Sequence, residues 1–348
     1  MKTFLATILI ICLPSLVQAQ VVSGFSGEFT HGTSMTIVGS GFGTKDQAAP
    51  GIWDDVESGD FHDDWGITGT MSVGTESRHA HSSYCGTNNF QGSGGDGKHG
   101  YFTGGPLGEN YYGQYWFKMD ENFDWGDASY GNLGANLANV KIFRMWNPSS
   151  SIDENFVMAT RGYAGSSVQY FAEHVENPQG GYFENIYDWT KGEWHLFQFQ
   201  YKESSMGGND GEIRVWRDGA LVLEDLDIMT RDDYSELKRP YILGFYNSWG
   251  DAGTDRDDFY IDDAYVDNSW ARVEVGNNPV YNSCTHREIQ IPSSWSAASV
   301  TVNVNAGSFG PDDELYLFVV NEQGDISSGF PMDVSIEVPG IPGTPVRH

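Results

Sequence analysis

Basic residues are scarce in this 348-residue sequence. It has 19 lysines and arginines against 48 aspartates and glutamates, a formal net charge of −29. Nucleic acids and anionic membrane surfaces attract proteins through basic patches, and this composition does not supply them. We therefore expect neither a nucleic-acid partner nor insertion into a membrane. The sequence does not indicate an oligomeric state.

Long apolar runs are absent beyond the N-terminus. Lys2 is followed by an apolar run from Phe4 to Leu13, and the small residue Ala19 ends the segment. This pattern is typical of a signal peptide, and the run is too short to cross a bilayer. The sequence therefore predicts a signal peptide over residues 1–19 and an exported protein, whether secreted, periplasmic or held at the cell surface.

Cysteine is also rare, with three residues in the whole chain. Cys12 lies in the predicted signal peptide, which leaves Cys85 and Cys284. Two thiols in an oxidising compartment can pair, although their number alone does not establish a bond. We predict a disulfide between Cys85 and Cys284.

Helical periodicity is missing from the sequence, whereas strand-like alternation is frequent. The 43 glycines and the 14% of aromatic residues accompany a series of short alternating segments separated by Gly, Asn, Asp and Pro. Typical segments are Gly113 to Met119, Val140 to Trp146 and Trp194 to Lys202. Many strands at regular spacing indicate a sandwich or a jelly roll. The predicted fold class is therefore all-β.

One alternating segment, Asp257 to Val266, contains an unusual number of acids. Carboxylates within a half-buried strand are costly unless a cation compensates them. A second acid-rich segment lies at Trp53 to Gly59, and we predict that the two segments pair and hold Ca²⁺, a cation that takes six to eight oxygen ligands. The predicted ligands are Asp55, Glu57, Asp262 and Asp263. The alternative is that these acids are solvated at strand ends.

The two ends of the chain share a second pattern. The opening segment Ser34 to Gly43, and the closing segments Arg287 to Asn305 and Glu314 to Gly324, resemble the two halves of the immunoglobulin-like IPT/TIG module. The resemblance implies a small sandwich, from residues 20–46 and 280–340, interrupted by a large insertion. The alternative is two unrelated edge segments that pack on the central domain.

The insertion, residues 51–268, carries a second resemblance. The Trp-led segment Trp194 to Tyr201 and the Asp-Gly hairpin within Asn209 to Val222 are similar to the concanavalin A-like lectin/glucanase jelly roll. The resemblance implies a two-sheet sandwich. Many members of that superfamily bind or cleave polysaccharides, and many carry a structural Ca²⁺ where the first and last strands meet.

Cations and aromatic residues coincide on alternate positions of three candidate strands. Aromatic rings stack on sugar rings, and arginine binds carboxylates in a forked geometry. We therefore predict that one surface binds a polysaccharide, possibly an anionic one. The predicted glycan-binding residues are Trp116, Lys118, Arg144, Trp146, Arg161 and Tyr163. The alternative is that each cation pairs with a neighbouring acid on a solvated sheet.

Three functions are compatible with these features. The main prediction is an exported carbohydrate-binding protein. The second is a lyase that cleaves a uronate-containing glycan by β-elimination, with Tyr170, His174 or His195 as the base and Arg144 or Arg161 as the group that neutralises the carboxylate. No stretch matches the Gln-[Ile/Val]-His signature of related lyases, and this absence weakens the support for the lyase hypothesis. The third is a structural surface or matrix protein without a glycan site.

Overall fold

The computed structural model describes residues 19–68, 71–89, 98–103, 108–121, 139–146, 155–163, 166–174, 182–183, 190–231, 237–245 and 258–332. These residues form twenty-two β-strands and one short 3-10 helix at Tyr281–Ser283. The first twelve strands are β1 (Val21–Ser26), β2 (Ser34–Ser40), β3 (Ile52–Asp54), β4 (Trp65–Thr68), β5 (Ser72–Gly74), β6 (Cys85–Asn89), β7 (Lys98–Phe102), β8 (Asn110–Met119), β9 (Asn139–Trp146), β10 (Asn155–Tyr163), β11 (Ser166–His174) and β12 (Tyr182–Phe183). The remaining strands are β13 (Trp194–Lys202), β14 (Gly211–Arg217), β15 (Ala220–Ile228), β16 (Arg239–Phe245), β17 (Asp258–Asp267), β18 (Arg272–Gly276), β19 (Arg287–Ser296), β20 (Ser299–Asn303), β21 (Leu315–Val320) and β22 (Phe330–Met332).

Two antiparallel sheets form the jelly roll. The first, here called the front sheet, has the order β12-β11-β10-β9-β16-β7-β4. The second, the back sheet, has the order β15-β14-β13-β8-β17-β6-β5, with β3 paired to β17. The all-β jelly-roll fold is therefore confirmed.

Aromatic side chains from both sheets fill the space between them. Phe117 and Phe197 of the back sheet share one buried cluster with Phe102 and Met145 of the front sheet. Complete burial of such a side chain stabilises the fold by about 2 kcal/mol. At Gly113 an added Cβ would overlap the Phe199 ring, so this position requires glycine for close packing of β8 against its neighbour β13.

The acid-rich strand β17 contains a β-bulge that reverses its alternation. Its pairing with β8 shifts between Asp262 and Tyr265, and Asp263 has φ of 48°. Before the bulge, Ile261 lies in the core, and after the bulge Ala264 does. The structure pairs β17 with β3 as predicted, with Ala264 opposite Asp54.

Strands from both chain ends form the smaller sandwich, in the order β1-β2-β20-β19-β18-β21-β22. The long strand β19 connects its two parts, since its first half pairs with β18 and its second half with β20. Ile37 and Val302 on one part pack with Val273 and Leu317 on the other. Strand β18 belongs to this sandwich although it precedes residue 280.

The smaller sandwich packs against the outer face of the back sheet through a buried polar network. Arg272 and Arg287 both pair with the carboxylate of Glu274, and all three side chains are at most 1% exposed. The Arg287 guanidinium also donates to the Gln198 amide oxygen of the back sheet at 2.6 Å. The Arg272 guanidinium lies over the Tyr112 ring at 3.9 Å. This contact covers the outer face of the back sheet around Tyr112 and Gln198.

Residues 1–18, which hold most of the predicted signal peptide, lie outside the described residues. Among the residues that are described, we found no helix with the length and apolar character needed to cross a membrane.

Candidate functional site

The register of the front sheet brings most of the predicted glycan-binding and catalytic positions to one face. Arg144 on β9 is paired with Val157 on β10, which is paired with Ala172 on β11. Direct partners in a sheet, and residues two apart on a strand, share a face. Four further positions therefore share the face of Arg144 on β10 and β11, namely 161, 163, 170 and 174.

Position 146 on β9 lies on the same face, two residues from Arg144. Neighbouring strands lie about 4.8 Å apart, so Arg144 and Ala172 are separated by about 10 Å across the sheet. We call this surface the front face. The side chains of Trp146, Arg161, Tyr163, Tyr170 and His174 lie outside the described part of the structure.

The described side chains fix which way the front face points. Met145, the neighbour of Arg144 along β9, is completely buried in the core. Arg144 itself is partly exposed, so it lies on the side of the sheet away from the core. Tyr241 on β16 is paired with Arg144 and is 5% exposed. The front face therefore holds a cation flanked by a buried tyrosine.

Two predicted members of the glycan-binding surface lie elsewhere. Trp116 and Lys118 belong to β8, in the back sheet. Trp116 is 6% exposed and its ring packs under the Arg78 guanidinium at 4.4 Å. Lys118 pairs with the carboxylate of Glu76. The prediction that all six residues share one surface is therefore wrong, because alternation does not reveal which sheet a strand joins.

His195, one of the three predicted bases, also lies on the back sheet. Its Nδ1 contacts the Asp218 carboxylate at 2.9 Å and its Nε2 contacts the Thr190 carbonyl at 2.9 Å. The imidazole is buried on the core side of the sheet, beside the Phe117 ring. Both ring nitrogens therefore contact neighbouring protein groups. Because His195 faces the core from the back sheet, it lies apart from the positions of Tyr170 and His174 on the front sheet.

The acids of β17 take part in a buried ion cluster between the jelly roll and the smaller sandwich. The Arg78 guanidinium contacts the Asp263 carboxylate and lies 2.9 Å from Glu288 of β19. The Asp262 carboxylate accepts a hydrogen bond from the Ser82 hydroxyl at 2.8 Å. Arg78 therefore supplies the compensating charge.

The pKa values of the two neighbouring aspartates are shifted in opposite directions. Burial, followed by the charge of Asp263, raises the pKa of Asp262 to about 9. Burial alone would also raise the pKa of Asp263, but the nearby Arg78 charge holds it below the ordinary value. At neutral pH the cluster therefore contains a protonated Asp262 beside an ionised Asp263.

The predicted calcium ligands fit this geometry only in part. Asp262 and Asp263 do form a compact group, but the third member is His79, with the ligand atoms within 4.8 Å of one another. The Asp55 carboxylate accepts the Glu57 amide N–H at 3.1 Å, while the Glu57 carboxylate accepts the Ser83 amide N–H at 2.7 Å. Neither belongs to the compact group, and Arg78 already compensates Asp263. Calcium binding stays a prediction.

The structure does not join the two cysteines. Cys85 and Cys284 are both free and buried. The Cys284 thiol contacts the Asn278 carbonyl at 3.4 Å, within its own loop. Burial raises the pKa of the Cys85 thiol to about 12. The predicted disulfide is absent, and two buried thiols stand in its place.

Two residues that contribute to these clusters were missed by sequence reasoning. Arg78 lies in an irregular loop, and no local pattern links it to β17 or β19. Tyr241 lies on β16, and its place beside Arg144 depends on the pairing of β16 with β9. Sequence alone gives the alternation within a strand and not the partner of that strand.

Comparison with known proteins gives one family match. A family model described as "Polysaccharide lyase" matches residues 91–264, half of the chain. This range includes all of the front-sheet strands except β4, and it includes β17 up to Ala264. A search of curated proteins found no match.

Solved structures with a similar arrangement of strands include a fungal endo-β-1,4-glucuronan lyase from Trichoderma reesei. It is 16% identical, with 64% of this chain and 97% of that chain covered and a TM-score of 0.45. The alginate lyase Aly36B is 14% identical, with 68% and 98% covered and a TM-score of 0.42. The alginate lyase vAL-1 from a Chlorella virus is 13% identical, with 59% and 93% covered and a TM-score of 0.39.

Proposed function

The chain belongs to the polysaccharide lyase family, and on this premise we propose that it cleaves a uronate-containing polysaccharide by β-elimination on the front face. The observation that carries the proposal is the family match over the strands that form this face. The family corrects the main sequence-based prediction, which was carbohydrate binding without cleavage. The structural protein without a glycan site is set aside on the same ground.

The chemistry requires two kinds of group near one sugar. The uronate carboxylate must be neutralised so that the C5 proton becomes acidic, and a base must remove that proton. The C5–H electrons then form the C4=C5 double bond, the C4–O bond breaks, and the leaving oxygen takes a proton. Arg144 is the proposed neutralising group, since a guanidinium binds a carboxylate through two hydrogen bonds.

Tyr170 and His174 are the proposed bases. They lie on β11, two residues before and two residues after Ala172, and β10 lies between β11 and the strand of Arg144. This spacing supports a sugar lying across β9, β10 and β11 with its carboxylate at Arg144 and its C5 proton facing β11. Arg161, Trp146 and Tyr163 are the proposed contacts to neighbouring sugar units on the same face.

Lyase activity can be measured as the ultraviolet absorbance of the unsaturated uronate product, with alginate, glucuronan and polygalacturonate as substrates. We expect Arg144→Ala to lower kcat/KM by about thirty-fold, which corresponds to a charge-assisted hydrogen bond of about 2 kcal/mol. Arg214→Ala is the matched control, because Arg214 pairs with Glu224 on the back sheet. Absence of any unsaturated product from all three polymers would refute the proposed activity.

The base can be assigned from separate variants. Tyr170→Phe removes a phenolic hydroxyl and His174→Asn removes an imidazole, so each variant lacks one titratable group. We expect the variant that lacks the base to lose kcat, and the other variant to keep the native pH profile. If both variants retain native kcat, the base lies outside this pair.

Two further parts of the sequence analysis are retained as proposals. The apolar leader supports export of the protein with residues 1–19 removed. The resemblance of the two chain ends to the IPT/TIG module supports an immunoglobulin-like fold for the smaller sandwich. Mass spectrometry of the exported protein tests the first, since an N-terminus at Gln20 is expected.

A further inference from the structure

Three histidines converge where the two sandwiches meet, and no front-sheet strand contributes to the group. His31 lies in the turn between β1 and β2 of the smaller sandwich, whereas His79 and His81 lie in the loop that joins β5 to β6 of the jelly roll. The ring centroid of His79 lies 6.0 Å from that of His31 and 5.9 Å from that of His81. The His31 and His81 centroids are 4.5 Å apart. Three of the nine histidines of the sequence therefore share one small volume.

His79 is the buried member of this group, and it lies beside the acids of β17. Its side chain is 4% exposed, and its Nε2 lies 3.4 Å from the Asp263 carboxylate. Two atoms that ligate one tetrahedral zinc ion, each with a bond of 2.0–2.1 Å, are about 3.3 Å apart. Asp262 completes a compact set, in which one ligand atom of each residue lies within 4.8 Å of the others. The spacing of His79 and Asp263 therefore matches that of two metal ligands.

Two ring nitrogens of the group are buried without a hydrogen-bond partner among the described residues, the His79 Nε2 and the His31 Nδ1. The 3.4 Å contact with Asp263 is longer than an ordinary N–H···O bond. Arg78 and Asn305 contact the Oδ2 of Asp263, and no described residue donates to its Oδ1. Native proteins rarely leave a buried polar atom unmatched, because its desolvation is costly. Both nitrogens therefore indicate a ligand at this point.

Acidic groups outnumber basic ones around His79. The Arg78 guanidinium lies between the carboxylates of Asp263 and Glu288. The Asp262 carboxylate contacts the Ser82 hydroxyl and the Asp263 N–H, and no lysine or arginine of the described chain pairs with it. Three buried carboxyl groups thus share one guanidinium. A divalent cation can replace the proton of a ligating carboxyl group and balance this excess.

The imidazole nitrogen determines which class of cation fits. Ca²⁺ and Mg²⁺ bind through oxygen atoms, whereas imidazole is a common ligand of Zn²⁺, Cu²⁺ and Ni²⁺. His79 therefore favours a transition-metal ion over the calcium predicted for Asp262 and Asp263. Zn²⁺ accepts mixed nitrogen and oxygen ligands and is almost always four-coordinate in structural sites. It is the ion that this set of side chains fits best.

We propose that the junction of the two sandwiches binds one divalent transition-metal ion, with zinc as the expected ion, through His79, Asp262 and Asp263. His31 supplies the fourth ligand from the smaller sandwich. Two imidazoles on one tetrahedral zinc ion have centroids about 5 Å apart, so a small turn of the His31 side chain closes the observed distance. The ion would join the two sandwiches, a role beyond the proposed cleavage of a polysaccharide.

Two local contacts change when the metal binds. The His31 and His81 rings are parallel to within 4°, and the His31 ring must leave this stack to direct a nitrogen at the ion. The terminal torsion of a histidine side chain is broad, and His81 is exposed, so the stack is easily broken. The His79 Nδ1 accepts the His81 backbone N–H at 3.1 Å. Ligation through Nε2 places the ring proton on Nδ1, and the exposed His81 amide then bonds water.

Isothermal titration calorimetry of the untagged full chain with zinc chloride tests the proposal, after a chelator has removed any metal. Calcium chloride and magnesium chloride are the comparators. We expect one zinc ion per chain, bound more tightly than calcium or magnesium. His79→Ala and His31→Ala should each weaken zinc binding at least about ten-fold, since the loss of a group that merely orients a ligand already costs about 10–100-fold. Cobalt(II) should give the intense visible absorption of a four-coordinate site, and zinc should abolish it.

His62→Ala is the matched control, because its imidazole is partly exposed beside Asp64 and lies outside the group. It should leave the zinc affinity unchanged. Thermal melting without metal establishes that each variant is folded. His31 is only partly buried, so His31→Ala decides the question if His79→Ala does not fold.

Absence of zinc binding would overturn the proposal, as would tighter binding of calcium than of zinc. So would native zinc affinity in a folded His79→Ala or His31→Ala variant. An equal loss in His62→Ala would also overturn it, because exposed histidines in general would then hold the metal. The titration contains no polysaccharide, so its failure is distinguishable from a failure of the proposed lyase activity.

Discussion

Removal of Arg78 tests the buried ion cluster directly. The Arg78 side chain is 1% exposed and contacts two buried carboxylates, Asp263 of the jelly roll and Glu288 of the smaller sandwich. Arg78→Met keeps much of the side-chain volume but leaves both carboxylates without a cation. Breaking a buried ion pair by removing one partner costs about 3–5 kcal/mol, because the remaining charge is left uncompensated. We expect a loss of that size in the free energy of unfolding at neutral pH.

The pH dependence of the loss separates an electrostatic cause from a packing cause. Burial alone would raise the pKa of Glu288, but Arg78, followed by a hydrogen bond from His286, holds it well below the ordinary value. The stability from this carboxylate is thus present above its unfolded pKa and is lost as pH falls through the folded pKa. Without Arg78, burial raises both carboxyl pKa values. The carboxyls then take up protons as pH falls, and the destabilisation shrinks.

Urea unfolding of the native protein and of Arg78→Met between about pH 5 and about pH 8 measures both quantities. Arg214→Met is the matched control, because Arg214 pairs with Glu224 near the surface and should cost at most about 1 kcal/mol. The reasoning is refuted if Arg78→Met is as mild as Arg214→Met. It is also refuted if the loss in unfolding free energy caused by Arg78→Met is no smaller at about pH 5 than at about pH 8.

Three further predictions concern the same junction and the two thiols. Burial and the Asp263 charge raise the pKa of Asp262 to about 9, so the native protein loses stability as this carboxyl ionises with rising pH. Asp262→Asn should therefore become more stable relative to the native protein between about pH 5 and about pH 9, whereas Asp263→Asn should be less stable throughout this range. Urea unfolding measures both differences. Calcium bound by these aspartates would stabilise only the native state. Excess chelator should therefore lower the melting temperature of the native protein and leave that of Asp262→Asn unchanged. An equal melting temperature of the native protein with and without chelator contradicts the calcium prediction. Cys85 and Cys284 are both buried and free, so alkylation without reductant should label both only after unfolding, and a mass two units lower with no labelling would indicate a disulfide.

Individual strands could be predicted because their signals are local. Trp194 to Lys202 was predicted as a strand from its alternation, and the structure has β13 over the same residues. Pairing of the acid-rich segment with Trp53 to Gly59 was also anticipated, and β3 lies beside β17. Bulges are harder to predict. The left-handed conformation of Asp263 inserts one residue and reverses which side chains of β17 face the core.

The functional surface could be predicted only in part. Positions 144, 146, 161 and 163 were expected on one face, and the register of β9 and β10 agrees. Trp116 and Lys118 were assigned to the same face and lie on the other sheet. A period of two determines the two faces of a strand, but each sheet of a sandwich has an inner and an outer face. The pattern of one strand is the same in either sheet.

Alternation and short turn signals were enough to predict the longer strands, the all-β class and the participation of both chain ends in one small sandwich, whereas short strands such as β5 and β12 carry no such signal. Tertiary structure decided which strands became neighbours, and therefore which side chains meet. Arg78 shows the reason. Its loop carries no periodic pattern, yet the fold brings it to Asp263 and Glu288, residues 185 and 210 positions away. A buried carboxylate is costly unless a cation lies beside it, and only the folded chain brings Arg78 to both carboxylates.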